Sequence, residues 1–198
     1  MSFVEILRRQ FDELELEIPL DSQQLLAVYA SELEHWNKAV NLTSLSGSAL
    51  VRRLIVDPVW VGRYLQMDGD VCDVGSGNGS PGIPLSITRK FSSTDLIEPR
   101  MKRTVFLRHV IAKLRLTAIA VHRCRIEEIP ENTLCSDWIT LQAVLPTPTL
   151  KGNLGRIGTE TTRVVWITSV ATPPVADALG FEIPGSTTKI WVFRLDQI

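Results

Sequence analysis

Apolar residues Leu25, Leu26, Tyr29, Leu33, Trp36 and Val40 recur at three- and four-residue steps. They make one stripe, which predicts an amphipathic helix over residues 22–40 that must pack on something. Ser2 with Glu5, and Asp21 with Gln24, have capping-box spacing, so helices are expected at about 2–15 and 22–40. A third helix is expected from near Ser48 to about Asp57, because the residue before Pro58 is biased away from helical geometry. Together these form an N-terminal helical cap over residues 1–66.

From Asp70 the pattern changes to alternating strand and helix. Val71-Cys72-Asp73-Val74 leads into a Gly/Pro loop, a helical stretch to about Phe91, and Asp95-Leu96-Ile97-Glu98. Such alternation implies a parallel sheet. The next helix carries Phe106, Val110 and Leu114, with Leu107 and Ile111 beside them, a broad face suited to a sheet. Strands are expected at 119–122, 138–141 and 164–168. Thr172-Pro173 through Gly180 has proline at the first turn and glycine past the end, which predicts one more helix. Strands at 181–183 and 189–195 flank Pro184-Gly185-Ser186-Thr187 and should pair as an antiparallel hairpin. Residues 67–198 thus form one α/β unit with the cap.

Composition narrows the class. At 198 residues and 44% apolar content the chain supports one substantial core. Cys72, Cys124 and Cys135 lack paired or metal-ligand spacing, so neither a disulfide framework nor a metal site is expected. No apolar run approaches the roughly 20 residues that span a bilayer, and Met1-Ser2-Phe3-Val4-Glu5 has no basic segment before an apolar one. A cytoplasmic location without membrane association is therefore expected. The net charge of −1 hides an uneven distribution: residues 1–45 hold eight acidic and three basic side chains. Between Pro99 and Ile126 stand Arg100, Lys102, Arg103, Arg108, Lys113, Arg115, Arg123 and Arg125, with no acidic residue. A local basic field of this kind attracts phosphates.

The strongest chemical signal is Asp73-Val74-Gly75-Ser76-Gly77-Asn78-Gly79-Ser80-Pro81-Gly82. Glycines directly after a strand let the backbone turn tightly and approach a ligand, while the next helix start offers free N–H groups to an anion. That anion is pyrophosphate for a dinucleotide or the methionine carboxylate for S-adenosylmethionine (SAM), whose amino end Asp73 can face. Glu98 ends the second strand 25 residues after Asp73, where a carboxylate can accept both ribose hydroxyls of an adenosine. Arg125-Ile126-Glu127, at the end of the third strand, is placed to border the adenine, with Ile126 as an apolar wall. A parallel sheet finished by a hairpin is the class I SAM-dependent methyltransferase arrangement, whereas a nicotinamide oxidoreductase would normally continue in parallel. Trp60 and Trp138 could be stacking platforms, but an apolar Trp is more often core.

The sequence also resembles a known family. Glu34-His35-Trp36-Asn37-Lys38-Ala39-Val40-Asn41-Leu42-Thr43, the stretch 73–84, Arg100-Met101-Lys102-Arg103-Thr104-Val105-Phe106-Leu107 and Arg125-Ile126-Glu127-Glu128 are similar to the GidB/RsmG family. The resemblance implies a Rossmann-like class I fold, SAM as cofactor, and methylation of a guanine N7 in small-subunit ribosomal RNA; a monomer is expected. By the same resemblance Asp73, Gly75, Ser76, Gly77, Gly79, Glu98, Ile126 and Glu127 hold SAM, and Arg100, Lys102, Arg103 and Arg125 face RNA. The chain departs from the family pattern where His-Phe-Leu-Asp-Ser becomes Leu54-Ile55-Val56-Asp57-Pro58. It departs again at Ser80, at Gln142, which replaces an Arg, and at Thr168-Ser169. These departures keep a second reading open, a SAM-binding paralogue with another substrate or none. No residue is singled out as catalytic, since a guanine N7 already offers its lone pair.

Overall fold

The computed structural model describes residues 2–131, 133–144 and 147–197. The N-terminal helices are α1 (Phe3–Asp12), α2 (Leu20–Val40) and α3 (Gly47–Val51). Ser2 and Glu5 close a reciprocal capping box on α1. The second expected box does not form, because α2 starts a residue before Asp21 with Pro19 at its cap. The α2 stripe is real: Leu26, Tyr29 and Leu33 are buried, and Trp36 and Val40 pack beside them.

Helical geometry does not stop at Asp57. A π-helical turn (Arg52–Val56) joins α3 to α4 (Asp57–Tyr64), and the Asp57 N–H reaches back five residues to Arg52 O. Proline lacks the donor an α-turn needs and its ring clashes with the carbonyl four residues earlier. The widened turn relieves both demands, so Pro58 sits inside a continuous helical path.

The sheet contains β1 (Asp70–Val74), β2 (Ser93–Ile97), β3 (Ile119–His122), β4 (Ser136–Gln142), β5 (Gly158–Thr168), β6 (Leu179–Glu182) and β7 (Lys189–Arg194). Their order is β3-β2-β1-β4-β5-β7-β6. The first five are parallel, and β7 runs antiparallel to both β5 and β6. The expected hairpin is therefore present. Helices α5 (Gly82–Thr88), α6 (Met101–Leu114) and α7 (Pro148–Leu154) complete the crossovers.

One expected helix is absent and an unexpected one is present. Residues 172–177 are bends and turns, not a helix. Thr172 and Pro173 each precede a proline, which disfavours helical backbone at both. The helix forms earlier, at α7, where Thr147 Oγ1 accepts from Leu150 N at 3.2 Å and Pro148 occupies the first turn. β5 also begins earlier than expected, with an irregularity in its pairing to β4 between Ser136 and Trp138.

One continuous apolar core runs from α1, α2 and α3 to Ile83, Leu96, Phe106, Leu107 and Val110. A second lies on one face of the sheet under α7, and a third on the other face under α4. Among the described residues no helix is long and apolar enough to cross a membrane. The order in which strands are added reverses between the parallel neighbours β1 and β4, so a crevice opens beyond their carboxyl ends.

Candidate functional site

A cavity of about 790 Å³ occupies that crevice, within the range of small-molecule sites. Its floor is the loop after β1. Gly75 N and Ser76 N both donate to Ile97 O, at 2.9 and 3.0 Å, which pins the loop to the end of β2. Gly77 N donates to Glu98 Oε2 at 3.0 Å, and Arg100 N donates to Glu98 Oε1 at 2.8 Å. The Arg103 guanidinium stands 3.7 Å from Oε2. The buried Glu98 carboxylate thus has charge-assisted partners on each oxygen and still retains free lone pairs.

Two glycines in the loop serve different ends. Gly77 has φ +52°, and a Cβ there would come within 3.4 Å of the Arg103 tip, so its bareness keeps the cavity floor open. At Gly79 (φ +94°) a Cβ would lie 2.5 Å from Ile83 Cδ1 and 3.1 Å from Leu107 Cδ2. That position is dictated by packing of the loop on the core, and Gly79 does not line the cavity.

Asp73 lies beneath the loop. It is paired in register with Thr140, whose hydroxyl donates to Oδ1 at 2.8 Å, and Gly82 N donates to Oδ2 at 3.3 Å. Burial pushes its carboxyl up to about 6, although the Thr140, Gly82 and Ser76 hydrogen bonds pull it back down. Asp73 braces the floor and does not line the cavity. Tyr29 ties α2 to the same loop: its hydroxyl donates to Asn78 O at 2.8 Å, and burial raises it well above the usual phenol range.

The walls come from distant parts of the chain. After α2, Asn41 adopts left-handed geometry, and the Asn37 amide both donates to Thr43 O (2.7 Å) and accepts from Thr43 N (2.9 Å). This clamp holds residues 42–45 along the rim. Arg53 and Leu54 enter from the π-helical turn, Gln142, Ala143 and Val144 from the end of β4, and Ile167, Thr168 and Ser169 from the end of β5. Asp57, buried at the start of α4, accepts from Arg52 Nε at 2.7 Å, Ser186 Oγ at 3.0 Å and Thr188 Oγ1 at 2.8 Å. Arg53 also donates to Thr188 Oγ1. The hairpin turn is thereby bound to the segment that carries Arg53.

Of the residues expected from sequence, Gly75, Ser76, Gly77, Glu98, Arg100 and Arg103 meet in this cavity. Ile126 is buried in the core with Ile97 and Ile129, while Glu127, Lys102 and Arg125 are exposed outside it. Trp138 is buried under the Arg163 guanidinium, 4.6 Å from its ring centre, and Trp60 stacks on Tyr64 at 4.7 Å. Neither lines the cavity. Sequence reasoning missed residues 42–45, Arg53 and Ser169 as site residues; the only local signal was the Asn37…Thr43 helix end.

The family model described as GidB, rRNA small subunit methyltransferase G, matches residues 22–168. The chain is 38% identical to ribosomal RNA small subunit methyltransferase G of Wolinella succinogenes, over 67% of this chain and 69% of that one. It is 33% identical to the protein of that name from Oleidesulfovibrio alaskensis, covering 73% and 66%. With the Shigella flexneri protein of that name it shares 44% identity, covering 55% and 52%. The aligned part thus spans between about half and about two thirds of these relatives' own length. Among solved structures the chain is similar to MtNAS in complex with MTA and tNA, with TM-score 0.57 and 16% identity, covering 88% and 74%. A tRNA methyltransferase, TrmI from Aquifex aeolicus, matches with TM-score 0.53 and 11% identity, covering 70% and 67%. The fold is that of the class I SAM-dependent methyltransferases.

Proposed function

The chain belongs to the rRNA small subunit methyltransferase G family, and we propose that it methylates a guanine N7 of small-subunit ribosomal RNA with SAM as donor. The observation that carries this is the contact between Gly77 N and Glu98 at the floor of the crevice beyond β1 and β4.

The residues present fit the cofactor. A Cβ-free turn at Gly77 leaves room for close approach, and Glu98 combines burial with unused acceptor capacity beside it. Gly75, Ser76 and Gly77 would cradle the adenosyl group and its amino-acid tail, and Glu98 would take the ribose hydroxyls. Asp73 and Gly79 would act from below, holding the loop in shape. When bound, the cofactor supplies an electrophilic methyl group that the N7 lone pair takes without prior loss of a proton. The protein therefore needs no general base; its work is alignment and exclusion of water. Leu42, Leu45, Leu54 and Ile167 line the cavity with apolar surface. Arg100 and Arg103 would hold RNA phosphates at the rim, with exposed Lys102 and Arg125 extending the basic track. The reaction is proposed to take place in the cytoplasm, carried out by a monomer on its RNA.

A second reading, cofactor binding without transfer, is favoured by Gln142 and Leu54 on the acceptor side. Calorimetry with SAM and NAD, followed by incubation with labelled SAM and undermethylated small-subunit RNA, separates the two. The methyltransferase reading expects SAM binding, about 100-fold weaker in Glu98→Ala, and label in the RNA. SAM binding with no label would support the second reading, and preference for NAD would sink both.

A further inference from the structure

Gln142 ends β4 with its side chain on the cavity wall. Its Nε2 donates to Arg53 O at 3.3 Å and its Oε1 accepts from Ser80 Oγ at 2.7 Å. A main-chain oxygen can only accept, so Arg53 fixes which end of the amide faces it. The two contacts come from the glycine loop on one side and the π-helical turn on the other, which makes the amide a rigid bridge. One N–H on Nε2 and one lone pair on Oε1 remain.

A donor beside an acceptor, held in one plane and in fixed order, matches the hydrogen-bonding edge of a nucleobase. Resting on the methyltransferase reading above, we propose that Gln142 is a specificity-determining residue that reads the O6 and N1–H edge of the acceptor guanine. The spare N–H donates to O6 and the spare lone pair accepts from N1–H. Both contacts leave N7 free, and N7 is the atom whose lone pair the reaction requires. Arg53 adds positive charge beside the amide, held in place by Thr188 and Asp57. Beside it on this wall Ala143, Val144 and Ile167 are apolar.

The test is nucleotide binding in the presence of saturating S-adenosylhomocysteine, read by ligand-observed NMR titration. Wild type and Gln142→Leu are compared with guanosine monophosphate and N1-methylguanosine monophosphate. Wild type is expected to bind guanosine monophosphate roughly 10- to 100-fold more tightly than the variant does. It should also lose most of that advantage with the N1-methylated nucleotide, whereas the variant binds both alike. The affinity for S-adenosylhomocysteine should change by less than about threefold, since Gln142 contacts the loop through Ser80 alone. Equal guanosine monophosphate affinity in both proteins, no binding by wild type, or preference for adenosine monophosphate would overturn the assignment. So would parallel loss of cofactor and nucleotide affinity, which marks a bracing role. Because transfer is not the readout, failure of RNA methylation counts against the proposed function, while these binding outcomes decide Gln142.

Discussion

The cofactor half of the cavity and the acceptor half are built by different means. Around the glycine loop, the contacts that shape the floor join residues closer in sequence: Gly82 to Asp73 nine positions apart, Gly77 to Glu98 twenty-one. On the acceptor wall, Gln142 meets Arg53 across 89 positions, and Arg53 meets Thr188 across 135. The first half rests mainly on a strand, a turn and a helix start, braced from farther off by Thr140 and Tyr29. The second exists only when the cap, the sheet and the terminal hairpin have docked. A change in the first should act on cofactor binding at constant architecture, and a change in the second should act through assembly.

The largest effect expected from this contrast is at Asp57. Replacing it with alanine strands Arg52 and Arg53 beside a buried site and unties the hairpin turn. Breaking a buried pair costs about 3–5 kcal/mol, a drop of roughly 10 °C in thermal midpoint. Guanosine monophosphate binding should fall further than SAM binding. Equal losses would erase the distinction between the halves.

Asp73 sharpens the contrast through pH. Its folded carboxyl titrates near about 6 against an ordinary value of 3.8, so between these values the folded chain keeps a proton that the unfolded chain has lost. Its contribution is therefore most favourable below about pH 4 and declines as pH rises to about 6, by on the order of 3 kcal/mol. Denaturant melts of wild type and Asp73→Asn across this window should differ by a pH-dependent amount of that size. A constant difference would show that the floor carboxylate is not titrating.

The smallest effects separate the loop glycines. Gly79→Ala meets Ile83 and Leu107 and takes a strained φ, a loss of about 2–3 kcal/mol of stability. Gly77→Ala has ordinary left-handed geometry and only the flexible Arg103 tip nearby, a loss of about 1 kcal/mol. The Gly77 variant should nonetheless be the one with weaker SAM binding at a temperature where both are folded. Calorimetry beside a melting curve checks the pair.

The same division governs what the sequence made legible. Strand alternation, the antiparallel hairpin, the glycine loop and Glu98 follow from short-range patterns, and all were anticipated. Arg53 as a wall residue was not, because its place depends on a π-helical turn that no residue periodicity announces. Pro58 was read as a helix stop, since the rule for the residue before proline assumes α geometry on both sides. Thr147-Pro148 carries the cap and first-turn proline that start a helix, whereas two successive prolines in Thr172-Pro173-Pro174 disfavour one. Ile126 was placed against a ligand on the strength of its position at a strand end, although its apolar side chain is better served by the core.

The extra residue accommodated between Arg52 and Asp57 has an evolutionary corollary. Deleting one codon from that turn would return Pro58 to an ordinary helical setting, where its ring clashes, and swing the preceding residues by about 100° relative to α4. Arg53 would leave the rim in a single step, and Tyr29, which holds the glycine loop through Asn78, would be displaced with it. The winding of that single turn thus sets rim and loop together, and an in-frame loss there would be felt by both.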